Sequence, residues 1–281
     1  MKIGLGTVQF GCNYGISNKN GQVPYDEIVK ILEYAQSVGI DTLDTASLYG
    51  NSEKVLGQIN LDNFKVVTKT IKFDKTLSKG ENLDRFKKAF YNSMKNLKCN
   101  CLYGLMFHES TDLLGASGPE LWELVCDFKK KEYVQKVGVS VYTPEVLVDI
   151  INKYEIDIVQ FPLNIFDQRF IPFLEKLKSK RVEIHTRSTF LQGLLLMKSI
   201  PDYFEEIKDK IMAIPEPHLQ YALAFGKKQK EVDRMIIGVT KLQDLKEIVD
   251  AYNSEVEVVD YSQYALNDEK YINPAMWKVK K

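Results

Sequence analysis

The feature that most constrains this chain is a repeated change of hydrophobic period. Short apolar runs alternate with longer stretches whose apolar residues recur at helical spacing, from the N-terminus to about residue 249. The first pattern reads as a buried strand and the second as one face of a helix. Strands are expected at residues 3–8, 42–45, 65–70, 102–107, 136–141, 158–161, 182–187 and 235–239. The first helix is expected at 25–37, with Ile28, Ile31, Leu32 and Ala35 on one face and Gly39 as its stop. A short helix follows at 52–56. Leu83, Phe86, Phe90, Met94 and Leu97 make the next stripe, and Leu121, Leu124, Val125 and Phe128 the one after it. Thr143 caps a helix whose first turn holds Pro144. The last helices are expected at 170–177, at 219–225 with Gly226 as its stop, and at 242–249.

Strand–helix alternation implies a parallel sheet covered by helices. Eight such units without a linker close most simply into an α/β (β/α)8 TIM barrel, and 281 residues suit one barrel domain. An open doubly wound sheet is the second choice. It prefers GxGxxG after its first strand, where this chain has GTVQFGCNYG. Residues 194–217 are left as a long surface loop with a helical piece. The tail at 261–281 is expected to pack near the barrel mouth, and the glycine-containing segment 109–119 to form a mobile lid.

Composition narrows the function. Lys plus Arg is 38 and Asp plus Glu is 38, so no bulk charge points to nucleic acid. No run of about 18 apolar residues exists and the N-terminus lacks a signal-like core, so no membrane partner is expected and a cytoplasmic location is. Cys99 and Cys101 form CxC without a partner pair, which suits reduced thiols. Three histidines are too few for a metal-dependent barrel hydrolase, and no metal is expected.

The chemistry gathers at strand ends. Asp44, Lys69 and His108 close the second, third and fourth expected strands, and Tyr49 lies in the turn after Asp44. Active sites of such barrels lie at the carboxyl ends of the strands. An acid, a phenol and a cation at one mouth suit proton transfer, for instance to the oxyanion that grows on a carbonyl as it is reduced. A free phenol has a pKa near 10, about three units too high for easy exchange at neutral pH, or roughly 4 kcal/mol. An ammonium about 4 Å away supplies about that much at an effective dielectric near 20. Lys69 is the candidate, and Asp44 keeps it charged against burial. His108 donates to the carbonyl oxygen. Tyr49 is then general acid for reduction and base for oxidation. Taken singly, each residue has a duller role: a strand-end cap, a packed aromatic, a solvated charge, a structural histidine. Of the other histidines, His185 shares parity with Arg187 and is expected in the core, while His218 is given no role.

The segments GTVQFG and DTASLYGNSE, followed by Lys69 and His108, resemble the aldo-keto reductase pattern. GVS at 138–140, QFPLN at 160–164, FLQGLL at 190–195 and IIGVTKLQDLKE at 236–247 resemble its cofactor segments in order, so the likeness covers nearly the whole chain. It implies NAD(P)H-dependent reduction of an aldehyde or ketone, with a cofactor that is usually NADPH. It places Gly6, Thr7 and Ser188 at the cofactor, Ser140 and Gln160 on the carboxamide, Arg187 beneath the nicotinamide, and Gln192, Gly193 and Leu194 around the pyrophosphate. Gly238, Thr240, Lys241 and Asp244 fall at a helix start suited to a phosphate, with Lys241 for the 2′-phosphate. This chain departs from the pattern at three places. Val141 stands where the family commonly has Asn. Asp244 stands where relatives often carry Gln or Arg, which leaves NADH open. Arg187 replaces an aromatic floor, and its guanidinium plane can stack in the same place.

The substrate is expected to be a small carbonyl compound, with a polar one such as a sugar aldehyde or keto sugar permitted. Phe10, Tyr14, Phe166, Tyr261, Tyr264 and Trp277 are candidates to line its pocket. A second reading is a cofactor-binding sensor or regulatory subunit with incidental turnover. Oligomeric state is not legible.

Overall fold

Eight parallel strands close into one barrel in sequence order, in a computed structural model that describes residues 1–278. They are β1 (Ile3–Gly6), β2 (Thr42–Asp44), β3 (Lys65–Lys69), β4 (Leu102–Phe107), β5 (Val134–Ser140), β6 (Ile158–Pro162), β7 (Glu183–Arg187) and β8 (Arg234–Gly238). The helices that follow them are α1 (Tyr25–Ser37), α2 (Ser52–Leu56), α3 (Lys79–Leu97), α4 (Gly118–Lys130), α5 (Pro144–Lys153), α6 (Leu174–Ser179), α7 (His218–Lys228) and α8 (Leu242–Asn253). The barrel closes where Gly6 of β1 aligns with Asp44 on one side and Gly238 on the other.

Local signals explain the elements. In α1, Ile28, Ile31, Leu32 and Ala35 are all buried, as the stripe requires. Ser78 and Glu81 form a capping box at the start of α3, worth about 1 kcal/mol. Thr143 accepts from Val146 N–H at the start of α5. Gly226 does not stop α7, which runs on to Lys228. The glycine packs against the thioether end of Met235 on β8, where a β-carbon would lie 2.7 Å from Met235 Cε and the methionine would have to shift. Residue 8 leaves the first strand and opens a short helical turn, Val8–Gly11.

The barrel's interior holds a polar cluster around Glu183. Glu183 accepts from Tyr103 and His185 and is paired with Lys136. Those contacts hold its carboxyl well below the usual range despite burial. His185 is fully buried there, on the same strand face as Arg187 above it. His218 clips the long loop after β7, with Nδ1 2.9 Å from Leu195 O and Nε2 3.1 Å from Ile214 O. That loop holds helical pieces at Asp202–Ile207 and Lys208–Met212.

The tail folds against α7 and the loops after β6 and β7. Tyr261 donates to Tyr221 O, Leu266 N–H to Phe166 O, and Trp277 meets the Phe204 ring edge-on. Residues 279–281 of the expected tail lie outside the described residues. The segment 109–119 is tied down: Ser110 and Leu113 are buried, Asp112 accepts from Phe73 N–H, and Tyr154 donates to Leu113 O. Among the described residues no helix is long and apolar enough to cross a membrane.

Candidate active site

Strand ends bring the four reactive side chains to one mouth. Asp44 ends β2, Lys69 ends β3 and His108 follows β4 directly. Tyr49 is set by a close approach of two loops. A β-carbon on Gly11 would lie 1.8 Å from Tyr49 O, and one on Gly50 would lie 2.4 Å from Gly11 O. Gly50 also takes φ +55°, which favours glycine. Below them Ser52 donates to Thr7 O at 2.9 Å, and Glu53 accepts from Thr68 at 2.7 Å. The serine and glutamate of DTASLYGNSE therefore hold the turn that carries the tyrosine.

Lys69 is fully buried and donates to Asp44 Oδ1 at 2.6 Å and to Thr45 O at 3.0 Å. Burial lowers its pKa, and Asp44 opposes that shift. The ammonium lies against the face of the Tyr49 ring, 5.2 Å from its centroid. The phenol is not made acidic in this arrangement. Burial pushes its pKa up and Asp44 adds to the rise, while Arg187 is the cation that lowers it. Lys69 commits its hydrogen bonds to Asp44 and Thr45 O. Burial, with Lys69 nearby, holds the His108 imidazole down at about 4. The ring is neutral at pH 7, meets Tyr49 edge-on at 5.7 Å, and its buried Nδ1 has no partner among the described residues.

One cavity of about 680 Å³ joins this mouth to the start of α8. Asp44, Tyr49, Lys69 and His108 line one end. Gly6, Thr7, Ser140, Gln160, Arg187, Ser188, Gln192, Gly193, Gly238, Thr240, Lys241 and Asp244 line the rest. Leu194 is the exception. It is fully buried in the hydrophobic core, because left-handed backbone at Leu191, Gln192 and Gly193 turns the loop and sends the next leucine inward. Two other expectations shift. Gln160 donates through Nε2 to Asp44 Oδ2 at 2.8 Å, so it braces the carboxylate's second oxygen. The Thr7 hydroxyl donates to Asp44 O at 3.1 Å and accepts from Ser52, so it too supports the strand end.

Of the candidate pocket aromatics, Tyr14 lines the cavity, whereas Phe10 and Phe166 are fully buried in the core. Sequence reasoning missed Tyr142, whose ring stacks on the Arg187 guanidinium at 4.1 Å. It also missed Gln9 and Thr189 on the cavity wall, where Gln9 Oε1 and Thr189 Oγ1 are buried without a partner among the described residues. Neither residue carries a periodic signal. A strap crosses the cavity: Gln192 donates to the Tyr14 hydroxyl at 3.1 Å, and Ser17 to Gln192 O at 3.3 Å. A long cleft with orphaned polar atoms on its wall fits an extended polar ligand such as a dinucleotide.

A closed parallel barrel with an acid, a phenol, an ammonium and an imidazole at one end of a long polar cleft defines an oxidoreductase-type site. The family model "Aldo/keto reductase family" matches residues 2–271, and the chain belongs to that family. It is 24% identical to the "Uncharacterized oxidoreductase YqkF" of Bacillus subtilis (strain 168), over 90% of this chain and 87% of that one. Solved structures share the fold. The holo form of aldo-keto reductase AKR11C1 from Bacillus halodurans aligns over 99% of this chain and 94% of its own, at 17% identity and TM-score 0.75. The glycerol dehydrogenase AKR11B4 from Gluconobacter oxydans aligns over 91% and 88%, at 19% identity and TM-score 0.65.

Proposed function

We propose that this oxidoreductase reduces an aldehyde or ketone to an alcohol with a nicotinamide dinucleotide, NADPH or NADH, held along the cleft. One observation carries the reading: Asp44, Tyr49, Lys69 and His108 meet at one end of a cavity that continues to the start of α8. The cofactor, when bound, supplies the hydride. The chain supplies the rest. Neutral His108 donates an N–H to the substrate oxygen and accumulates negative charge there without competing as an acid. Tyr49, kept protonated by burial and Asp44, hands its proton to the oxyanion. The raised pKa keeps the phenol in its proton-donating form at neutral pH. Lys69 holds its charge against the tyrosine ring, and Arg187 adds a second positive field, so the phenolate left behind faces two cations. Ser140 and the cavity face of Arg187 would hold the cofactor's ring end, with Ser188, Gln192 and Gly193 along its middle and Gly238 to Asp244 at its far end.

Tyr49→Phe tests the assignment. Consumption of reduced cofactor with a panel of small aldehydes and keto sugars is expected to fall at least about 100-fold. Cofactor affinity, read by fluorescence titration, is expected to change less than about threefold. Undiminished turnover in this variant would remove Tyr49 from the chemistry.

A further inference from the structure

The far end of the cavity is the start of α8, and its donors are already taken. Asp244 Oδ2 accepts from Thr240 N–H at 3.1 Å, from the Thr240 hydroxyl at 2.8 Å and from Lys241 N–H at 3.2 Å. Glu27 of α1 accepts from Leu242 N–H at 2.7 Å. A helix start offers an anion its free N–H groups and its dipole. Here two of the chain's own carboxylates fill that role. Thr240, Lys241, Asp244 and Glu247 all line the cavity. Lys19 and Lys241 on this wall face Asp244 and Glu247, while Glu27, which takes the Leu242 N–H from α1, is itself 3.6 Å from Lys30. Lys241 is exposed and already lies 3.8 Å from Asp244 Oδ1.

From this we infer that Asp244 and Glu27 make the site select the dinucleotide without a 2′-phosphate, so that NADH binds in preference to NADPH. The inference rests on the dinucleotide reading proposed above. A phosphate monoester carries about −1.5 to −2 charges and needs several unspent donors. At this wall it meets occupied N–H groups and like charge. A ribose hydroxyl is a donor, and a carboxylate with a spare oxygen accepts from it. The Asp244 carboxylate on the cavity wall that repels the phosphate therefore holds the sugar.

The test is direct titration of the purified chain with NADH and NADPH, read by tyrosine and tryptophan fluorescence at low and at high salt. The wild type is expected to bind NADH at least about tenfold more tightly. The gap should narrow as salt screens the repulsion. Asp244→Asn and Glu27→Gln keep the cap's shape and remove its charge, and each is expected to tighten NADPH by about three- to tenfold while changing NADH less. Circular dichroism of both variants checks that α8 survives. Wild-type binding of NADPH as tight as NADH, or a ratio unmoved by both substitutions, overturns the inference and leaves the reductase reading standing. Failure to bind either dinucleotide overturns both.

Discussion

Breaking the Asp44–Lys69 pair should damage the fold as well as the chemistry, and the two losses can be separated. The pair is 2.6 Å apart, with side chains 1% and 5% exposed. Removing one member of a buried pair strands the other charge, at about 3–5 kcal/mol. Asp44→Asn and Lys69→Met should each cost that much. Typical domain stabilities are about 5–15 kcal/mol, so either single variant loses a large share. The double variant leaves no stranded charge. Gln160 can still donate to Asn at 44, and Met fills the lysine stem's space. Its residual cost is the hydrogen bond to Thr45 O, about 1 kcal/mol. The cycle therefore predicts a coupling energy of about 3 kcal/mol or more. The sign of the pH dependence follows from Lys69. Its folded pKa is lowered, so it contributes stability above its unfolded pKa and loses it as pH falls through the folded value. Without Asp44 that folded value drops further, and the Asp44→Asn deficit should shrink as pH rises toward 10. Urea midpoints measure stability and cofactor consumption measures turnover. The double variant should be stable and inactive. Single costs that simply add in the double variant, within about 0.5 kcal/mol, would refute the buried-pair argument.

The eightfold alternation gave the barrel because each unit states its own period. The ends of α1, α2 and β4 fall where the sequence puts them. Gly226 misleads because a glycine inside a helix and one that ends it look alike in sequence, and here the helix runs on to Lys228. The convergence of Asp44, Tyr49, Lys69 and His108 was legible because barrel closure brings consecutive strand ends together. What each one touches was not. Gln160 meets Asp44 across 116 residues, and Glu27 meets Leu242 N–H across 215. Such pairs arise from closure, which brings distant elements side by side without marking either residue. Leu194 failed for a local reason. In FLQGLL the backbone turns left-handed at three successive residues, so no regular period tells which leucine faces the cavity. The acidity of Tyr49 failed for an electrostatic one. Burial raises the phenol's pKa, and Asp44, which pairs with Lys69, adds to the rise, a balance that strand-end spacing does not carry.

Two further outcomes follow from the charges at the mouth. Turnover should be flat from about pH 5 to 8, because His108 holds near 4 and Tyr49 is raised above its ordinary value. His108 has a depressed folded pKa, so its share of stability is present above 6.5 and is lost as pH falls through about 4. A pH–rate midpoint near 6.5 would show that the imidazole is not desolvated as drawn. The second outcome concerns Arg187. Its guanidinium stacks on Tyr142 and donates only long hydrogen bonds, at 3.4 Å, to Val141 O and the Ser188 hydroxyl. That leaves a positive charge on the cavity wall beside Tyr49. An oxidised nicotinamide ring is positive and a reduced one is neutral. On the proposed reading the guanidinium should weaken the oxidised form selectively. At about 6 Å and an effective dielectric near 20 the repulsion is at most about 3 kcal/mol, and exposure to solvent brings it to about 1–2 kcal/mol. Titrating both redox forms into wild type and Arg187→Tyr should therefore shift the affinity ratio about 5- to 30-fold toward the oxidised form. An unchanged ratio would mean that the arginine's charge does not reach the ring, and that its stack with Tyr142 serves packing alone.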